Sequence, residues 1–171
     1  MTRQTVPLAA MVVAASLASA ADWPRFRGPG GLGIGESAVP LEWGDSQNLF
    51  WKTPLPGPGS SSPVVHGADV FVTCYSGYGV PGGDGRQASL VRHLVCIDRA
   101  SGLERWRRDI PAELPEDAYE GFLTEHGYAS STPVVDADAV YAFFGKSGVI
   151  AFEDRKSTRL NSSHANISYA V

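Results

Sequence analysis

An internal repeat constrains this chain more than any other feature. Ser62-Pro63-Val64-Val65 followed by Asp69-Val70-Phe71-Val72 recurs as Thr132-Pro133-Val134-Val135 followed by Asp138-Ala139-Val140-Tyr141-Ala142, and Pro63 and Pro133 stand 70 positions apart. Further on, Val95-Cys96-Ile97-Asp98 recurs as Ile150-Ala151-Phe152-Glu153, yet Val95 and Ile150 are only 55 positions apart. The difference is an insertion in the first copy between Cys74 and Leu94, where Ser76-Gly77-Tyr78-Gly79-Val80-Pro81-Gly82-Gly83-Asp84-Gly85 reads as a loop. The second copy turns tightly through Gly145-Lys146-Ser147-Gly148. Glycine, proline and aspartate at these places are turn chemistry, and a hairpin tip is where a repeat tolerates insertion best.

The tight hairpin of the second copy pairs Ala142 with Ala151; carried to the first copy, that register sets Val72 opposite Cys96 and Cys74 opposite Leu94. The first copy continues through Asp98 to Trp106 as strand, turn at Ser101-Gly102, and strand, so that 43 positions separate Pro63 from Trp106. Units of about 40 to 50 residues with three or four strands characterise propeller blades, which bury their apolar faces only by stacking on neighbours. With 19 Gly and 12 Pro in 171 residues, the chain has turn formers enough for many short strands. The expected fold class is all-β: a partial β-propeller of antiparallel strands whose ring does not close within this chain.

The unit running through Leu94-Val95-Cys96-Ile97-Asp98, Ser101-Gly102 and Trp106 resembles the quinoprotein repeat. That repeat builds pyrroloquinoline-quinone dehydrogenases and also the cofactor-free propeller lipoprotein of outer-membrane assembly. Asp22-Trp23-Pro24-Arg25-Phe26-Arg27-Gly28-Pro29, Trp51-Lys52 and Pro56-Gly57-Pro58-Gly59-Ser60-Ser61-Ser62-Pro63 resemble the opening of large secreted quinone-binding-like propellers. The resemblance covers roughly residues 22–154 and implies a fold more than a function. It implies pyrroloquinoline quinone with calcium only in a full-length ring, so no cofactor is expected in this chain.

Three domains follow. Residues 1–21 read as a secretory signal: Arg3 in a short polar start, an apolar run from Leu8 to Leu17, and the small-residue site Ala18-Ser19-Ala20, with cleavage after Ala20 or Ala21. Residues 22–154 are the partial propeller. Residues 155–171 are Ser- and Asn-rich, without strand alternation or helical periodicity, and read as a non-native or disordered tail. At offset 55 a turn Gly is expected at 157 and a Trp at 161, where the chain has Ser157 and Asn161. About 130 residues with two recognisable repeats fall short of the roughly 160 to 200 that four blades need. The chain thus reads as an N-terminal portion, and the outer face of Val134 to Phe144 and Val149 to Phe152 is expected to be apolar and open to self-association.

The net charge of -4 and the scattered basic residues exclude a nucleic-acid footprint, and no apolar stretch after the signal is long enough to span a membrane. The chain is expected to be exported, periplasmic or extracellular, with a protein or polymer partner. Cys74 and Cys96, as diagonal neighbours in the inferred register, read as free buried thiols rather than a bridge. His66, His93 and His126 lack metal-ligand spacing and read as structural or surface residues. Glu113, Glu116, Asp117, Glu120 and Glu125 cluster about His126 in the connection between repeats, a solvated loop before a ligand site. Trp23, Trp43, Trp51 and Trp106 read as packing groups, and Pro81 to Gly85 as a flexible tip rather than a phosphate loop. No Ser-His-Asp or Cys-His set has local support, so the sequence points to no catalytic residues and no metal ligands, and it leaves cofactor-binding residues unknown. The leading reading is a binding or scaffold module that presents Tyr75 to Arg92 and Pro111 to Ser130 to its partner. The rivals are a portion of a quinone-dependent dehydrogenase oxidising an alcohol or sugar, and a carbohydrate-binding module relying on exposed Tyr75 and Tyr78.

Overall fold

Period-two alternation of apolar residues on both sides of each turn drives the chain into antiparallel meanders. A computed structural model describes residues 21–35, 38–153 and 162–165, with Glu153 and 162–165 as backbone only. The expected signal segment lies outside the described residues, apart from Ala21. The first sheet joins β1 (Val64–His66), β2 (Asp69–Ser76), β3 (Val91–Asp98) and β4 (Glu104–Pro111) in that order. The second joins β5 (Val134–Val135), β6 (Ala139–Phe143), β7 (Val149–Glu153) and β8 (Ser162–Ala165). The described structure is mostly β. Its one α-helix, α1 (Leu123–His126), lies in the connection between the sheets.

The two copies of the repeat occupy equivalent places. Val64 pairs with Phe71 and Phe71 with Cys96; in the second sheet Val134 pairs with Tyr141 and Tyr141 with Ala151. The register differs by one residue from the sequence expectation, since Ala142 faces Ile150, Val72 faces Val95 and Cys74 faces His93. The cause is the second hairpin's apex. The chain from Phe144 to Gly148 is not a two-residue turn but a short 3-10 turn, closed by Phe144 N–H donating to the Gly148 carbonyl at 2.9 Å, with Gly145 and Gly148 at positive φ.

A one-residue shift turns every side chain to the other face of a strand. Cys74 therefore joins Val70, Val95 and Ile97 on one face, while Cys96 joins Val64, Phe71 and Leu94 on the other. The two thiols are free and buried on opposite sides of the sheet, not diagonal neighbours.

The face bearing Phe71, Leu94 and Cys96 packs on Val135, Val140, Ala142, Ile150 and Phe152 of the second sheet, and this is the main core. Equivalent residues of the repeat meet at the seam, where Ser62 N–H donates to Thr132 Oγ1 at 3.0 Å. Between the first strands of the two sheets runs the N-terminal segment: Trp23 exchanges both backbone hydrogen bonds with Val65 at 2.8 Å, and Val135 N–H donates to the Pro24 carbonyl at 2.9 Å. Trp106 stacks on Phe71 with centroids 5.8 Å apart, and Trp51 donates from its indole to the Arg99 carbonyl at 2.9 Å and covers the opposite face. These tryptophans pack, as expected; Trp43 is exposed.

The β3–β4 turn is held by Asp98. Its carboxylate accepts from the backbone of Ala100 and Ser101, from the Ser101 hydroxyl and from Arg105, which together hold it well below the usual carboxylate range. Gly102 follows at φ 73 against the Trp51 ring. Of residues 155–171, expected to be a non-native or disordered tail, only 162–165 are described; they form β8, whose Ala165 stands opposite Val149. Ser163 stands opposite Ala151 where Trp106 stands opposite Cys96.

Candidate functional site at the loop end

The inserted loop after β2 and the connection from β4 to β5 leave the same end of the sheets, joined there by the β6–β7 turn. A buried ion pair clamps them. Arg92, at the start of β3, donates from both terminal nitrogens to Glu116 at 2.8 Å, and the two side chains are 3% and 2% exposed. Burial pushes the Glu116 carboxyl up, but Arg92, the Glu113 N–H at 2.8 Å and nearby Lys146 outweigh it and hold the group below its ordinary value. Gln87 also donates to the Glu116 carbonyl at 2.8 Å, and Lys146 reaches the Pro115 carbonyl and Asp117 at 2.8 Å each. Of the acidic cluster read from the sequence, Glu116 is thus a buried structural anchor, while Glu113, Asp117, Glu120 and Glu125 are exposed.

Four tyrosines lie against this clamp. The Tyr128 ring is 5.5 Å from Tyr75, 5.8 Å from Tyr78 and 6.1 Å from Tyr119, with the Arg92 guanidinium over its face at 5.8 Å. Their hydroxyls are committed within the loops: Tyr75 donates to the Gly79 carbonyl, Tyr128 donates to the Asp117 carbonyl, and Tyr78 accepts from Tyr119 N–H. Burial, together with a hydrogen bond to Tyr119, pushes the Tyr75 hydroxyl up to about 12, and burial raises Tyr128 as well, so both are neutral donors at any working pH. The sequence reading of Tyr75 as an exposed aromatic is corrected, since it is buried under the loop, and Tyr78 is half-buried.

Two adjoining cavities open over this cluster. One, about 520 Å³, is lined by Tyr78, Val80, Pro81, Tyr119 and loop glycines. The other, about 210 Å³, shares Gly79, Pro81 and Tyr119 with it and adds Ser60, Thr124, Glu125 and His126. Together they form one groove with an aromatic floor and a polar end. Gly79 is required there: it sits at φ 78, and a Cβ would come within 2.7 Å of the Tyr119 ring. His126 stacks on exposed Phe122 with centroids 4.2 Å apart. A third, smaller cleft of about 120 Å³ lies between the sheets beside Arg92 and Lys146.

The histidines stand apart, as their spacing implied. His66 pairs with Asp22 at 3.1 Å. His93 is buried on the Cys74 face, its Nε2 2.8 Å from Ser76 Oγ and its Nδ1 2.7 Å from Asp109 Oδ1. That is the connectivity of a Ser-His-Asp relay, assembled across β2, β3 and β4 from positions too far apart for local spacing to connect. Asp109 is shared with Arg107 at 3.1 Å, and none of the three cavities is lined by Ser76. The relay ties three strands together. The Cys74 thiol, beneath the same face, is pushed up to about 11 by burial and stays protonated.

Among the described residues no group of three or more His, Cys, Asp or Glu is placed to hold a metal ion, and no helix is long and apolar enough to cross a membrane. No family model matches the sequence, and no curated protein matches it significantly.

Proposed function

We propose that this chain is a portion of a β-propeller that serves as an exported binding or scaffold module, its stacked sheets holding the loop end rigid for a partner. The observation that carries this reading is a difference between equivalent faces. Val64, Phe71, Thr73, Leu94 and Cys96 of the first sheet are buried under the second, with Phe71 0% exposed. The same repeat positions in the second sheet are Val134, Tyr141, Phe143, Val149 and Ala151, and there Val134, Tyr141 and Phe143 are 45%, 38% and 40% exposed.

Among the described residues one sheet's face has a mate and its repeat-related twin has none, which supports a repeat stack that a further sheet would continue. The occupant that fits is a third sheet of the same repeat, presenting small apolar residues as Val135, Val140 and Ala142 do. A second copy of the chain does not continue the stack in the same way, because the face it would present is covered by Trp51, and copies are left to associate through their open Tyr141 faces.

The test compares the chain with a Tyr141→Lys, Phe143→Lys variant by light scattering and by binding of a hydrophobic dye. The unmodified chain should self-associate and bind dye at its open face, and the variant should lose both with its melting temperature unchanged. A monodisperse wild-type monomer without dye binding would overturn the stacking, as would a variant that melts far lower, because the face would then already be buried.

A further inference from the structure

We infer that the groove over the tyrosine cluster is a binding site for a neutral glycan chain, an inference that rests on the binding-module reading and names its ligand class. Three properties of the groove decide the chemistry. Its larger part offers ring and proline surface: Tyr78, Tyr119, Val80 and Pro81 around about 520 Å³, within the range of small-molecule sites. A sugar ring presents a flat face of C–H groups that such surface accepts, as aromatic side chains combine apolar bodies with polar tips.

The polar end is acceptor-rich. The Ser60 hydroxyl already donates to the His126 carbonyl at 3.2 Å and the Thr124 hydroxyl to the Gly121 carbonyl at 2.8 Å, so each has its proton committed and is left to act as an acceptor. Glu125, 76% exposed on its side chain and 4.0 Å from His126, adds a carboxylate. A ligand that fits must therefore bring hydrogen-bond donors along its length, as a polyol does. A proline-rich strand would suit the aromatic floor but lacks backbone N–H groups for these acceptors. An anionic chain would meet Glu125 at the groove and Glu120 in the same connection, which repels like charge.

The third property is preorganisation. The floor is fixed by the tyrosine hydroxyl bonds and by the Arg92–Glu116 clamp, so binding need not order these loops. The ligand would lie with one ring on Tyr119 and its neighbours' hydroxyls donating to Glu125, Thr124 and Ser60.

Affinity electrophoresis through gels containing soluble β-glucan, xylan or starch tests the site, with polyproline peptide and the anionic polysaccharide alginate as contrasts. Retardation by at least one neutral polysaccharide is expected, with the exposed-site variant Glu125→Gln binding about tenfold more weakly and Tyr119→Ala losing retardation. Tyr119 also packs on Tyr128, so circular dichroism accompanies that variant, and Glu125→Gln decides if Tyr119→Ala misfolds. Mobility unchanged in all three neutral gels, an undiminished Glu125→Gln, or binding of polyproline or alginate in their place would overturn the assignment. The dye and scattering experiment reads the opposite feature, the open sheet face, so failure of the glycan site and failure of the stacking reading are separately visible.

Discussion

Removing Glu116 tests the buried ion pair that holds the loop end. In Glu116→Leu the Arg92 guanidinium, 3% exposed, loses two 2.8 Å charge-assisted bonds at once and stays buried without a counter-ion, while Glu113 N–H loses its acceptor. Breaking a buried pair by deleting one partner costs about 3–5 kcal/mol. At roughly 4 °C per kcal/mol for a domain of this size, the melting temperature should fall by roughly 12–20 °C. The double variant Arg92→Met, Glu116→Leu removes both charges and should recover most of that loss, because apolar replacement of a buried pair is often neutral. The assay is thermal unfolding by circular dichroism at one protein concentration, since association shifts apparent stability. The pH dependence has a fixed sign. The Glu116 carboxyl is held below its ordinary value, so its contribution is complete above about pH 4.3 and is lost as pH falls through the folded value. Glu116→Leu should therefore lose stability less steeply in acid than the wild type. A single variant that melts with the wild type, or a double variant no better than the single, would refute the claim that this pair clamps the loops to β3.

Two further outcomes follow from the packing. Neither Cys74 nor Cys96 should react with a thiol reagent in the native protein, both should react in denaturant, and mild oxidation should leave them unbridged, because they lie on opposite faces of one sheet and burial holds Cys74 protonated; loss of both thiols under native conditions would contradict the register. Gly79→Ala places a side chain at φ 78 against Tyr119 and should cost about 1–2 kcal/mol, read as a lower denaturation midpoint together with a change in near-ultraviolet tyrosine signal; an unchanged midpoint would mean the loop moves freely there.

What the sequence determined by itself is the order of the strands and the equivalence of the two sheets. Offsets of 70 and 55 placed β1 with β5, β2 with β6 and β3 with β7, because antiparallel hairpins are local and turn residues mark their ends. Too few residues for a closed ring led to the expectation of an open apolar face along Val134 to Phe144 and Val149 to Phe152; the structure alone shows that Val134, Tyr141 and Phe143 are the exposed members. Register escaped it by one residue, since the geometry at Phe144 to Gly148 depends on whether the turn closes over two residues or coils into a 3-10 turn. That one step decided which face each cysteine takes. Pairings across long separations were also out of reach. Arg92 and Glu116 are 24 positions apart, and His93 lies 17 from Ser76 and 16 from Asp109, with nothing in local spacing to single out a partner. The groove is a tertiary product as well: Tyr78 and Tyr119 come from different loops, brought together by the Tyr119 N–H to Tyr78 hydroxyl bond, the Gln87 bond to the Glu116 carbonyl and packing of the tyrosine rings over the buried Arg92–Glu116 pair.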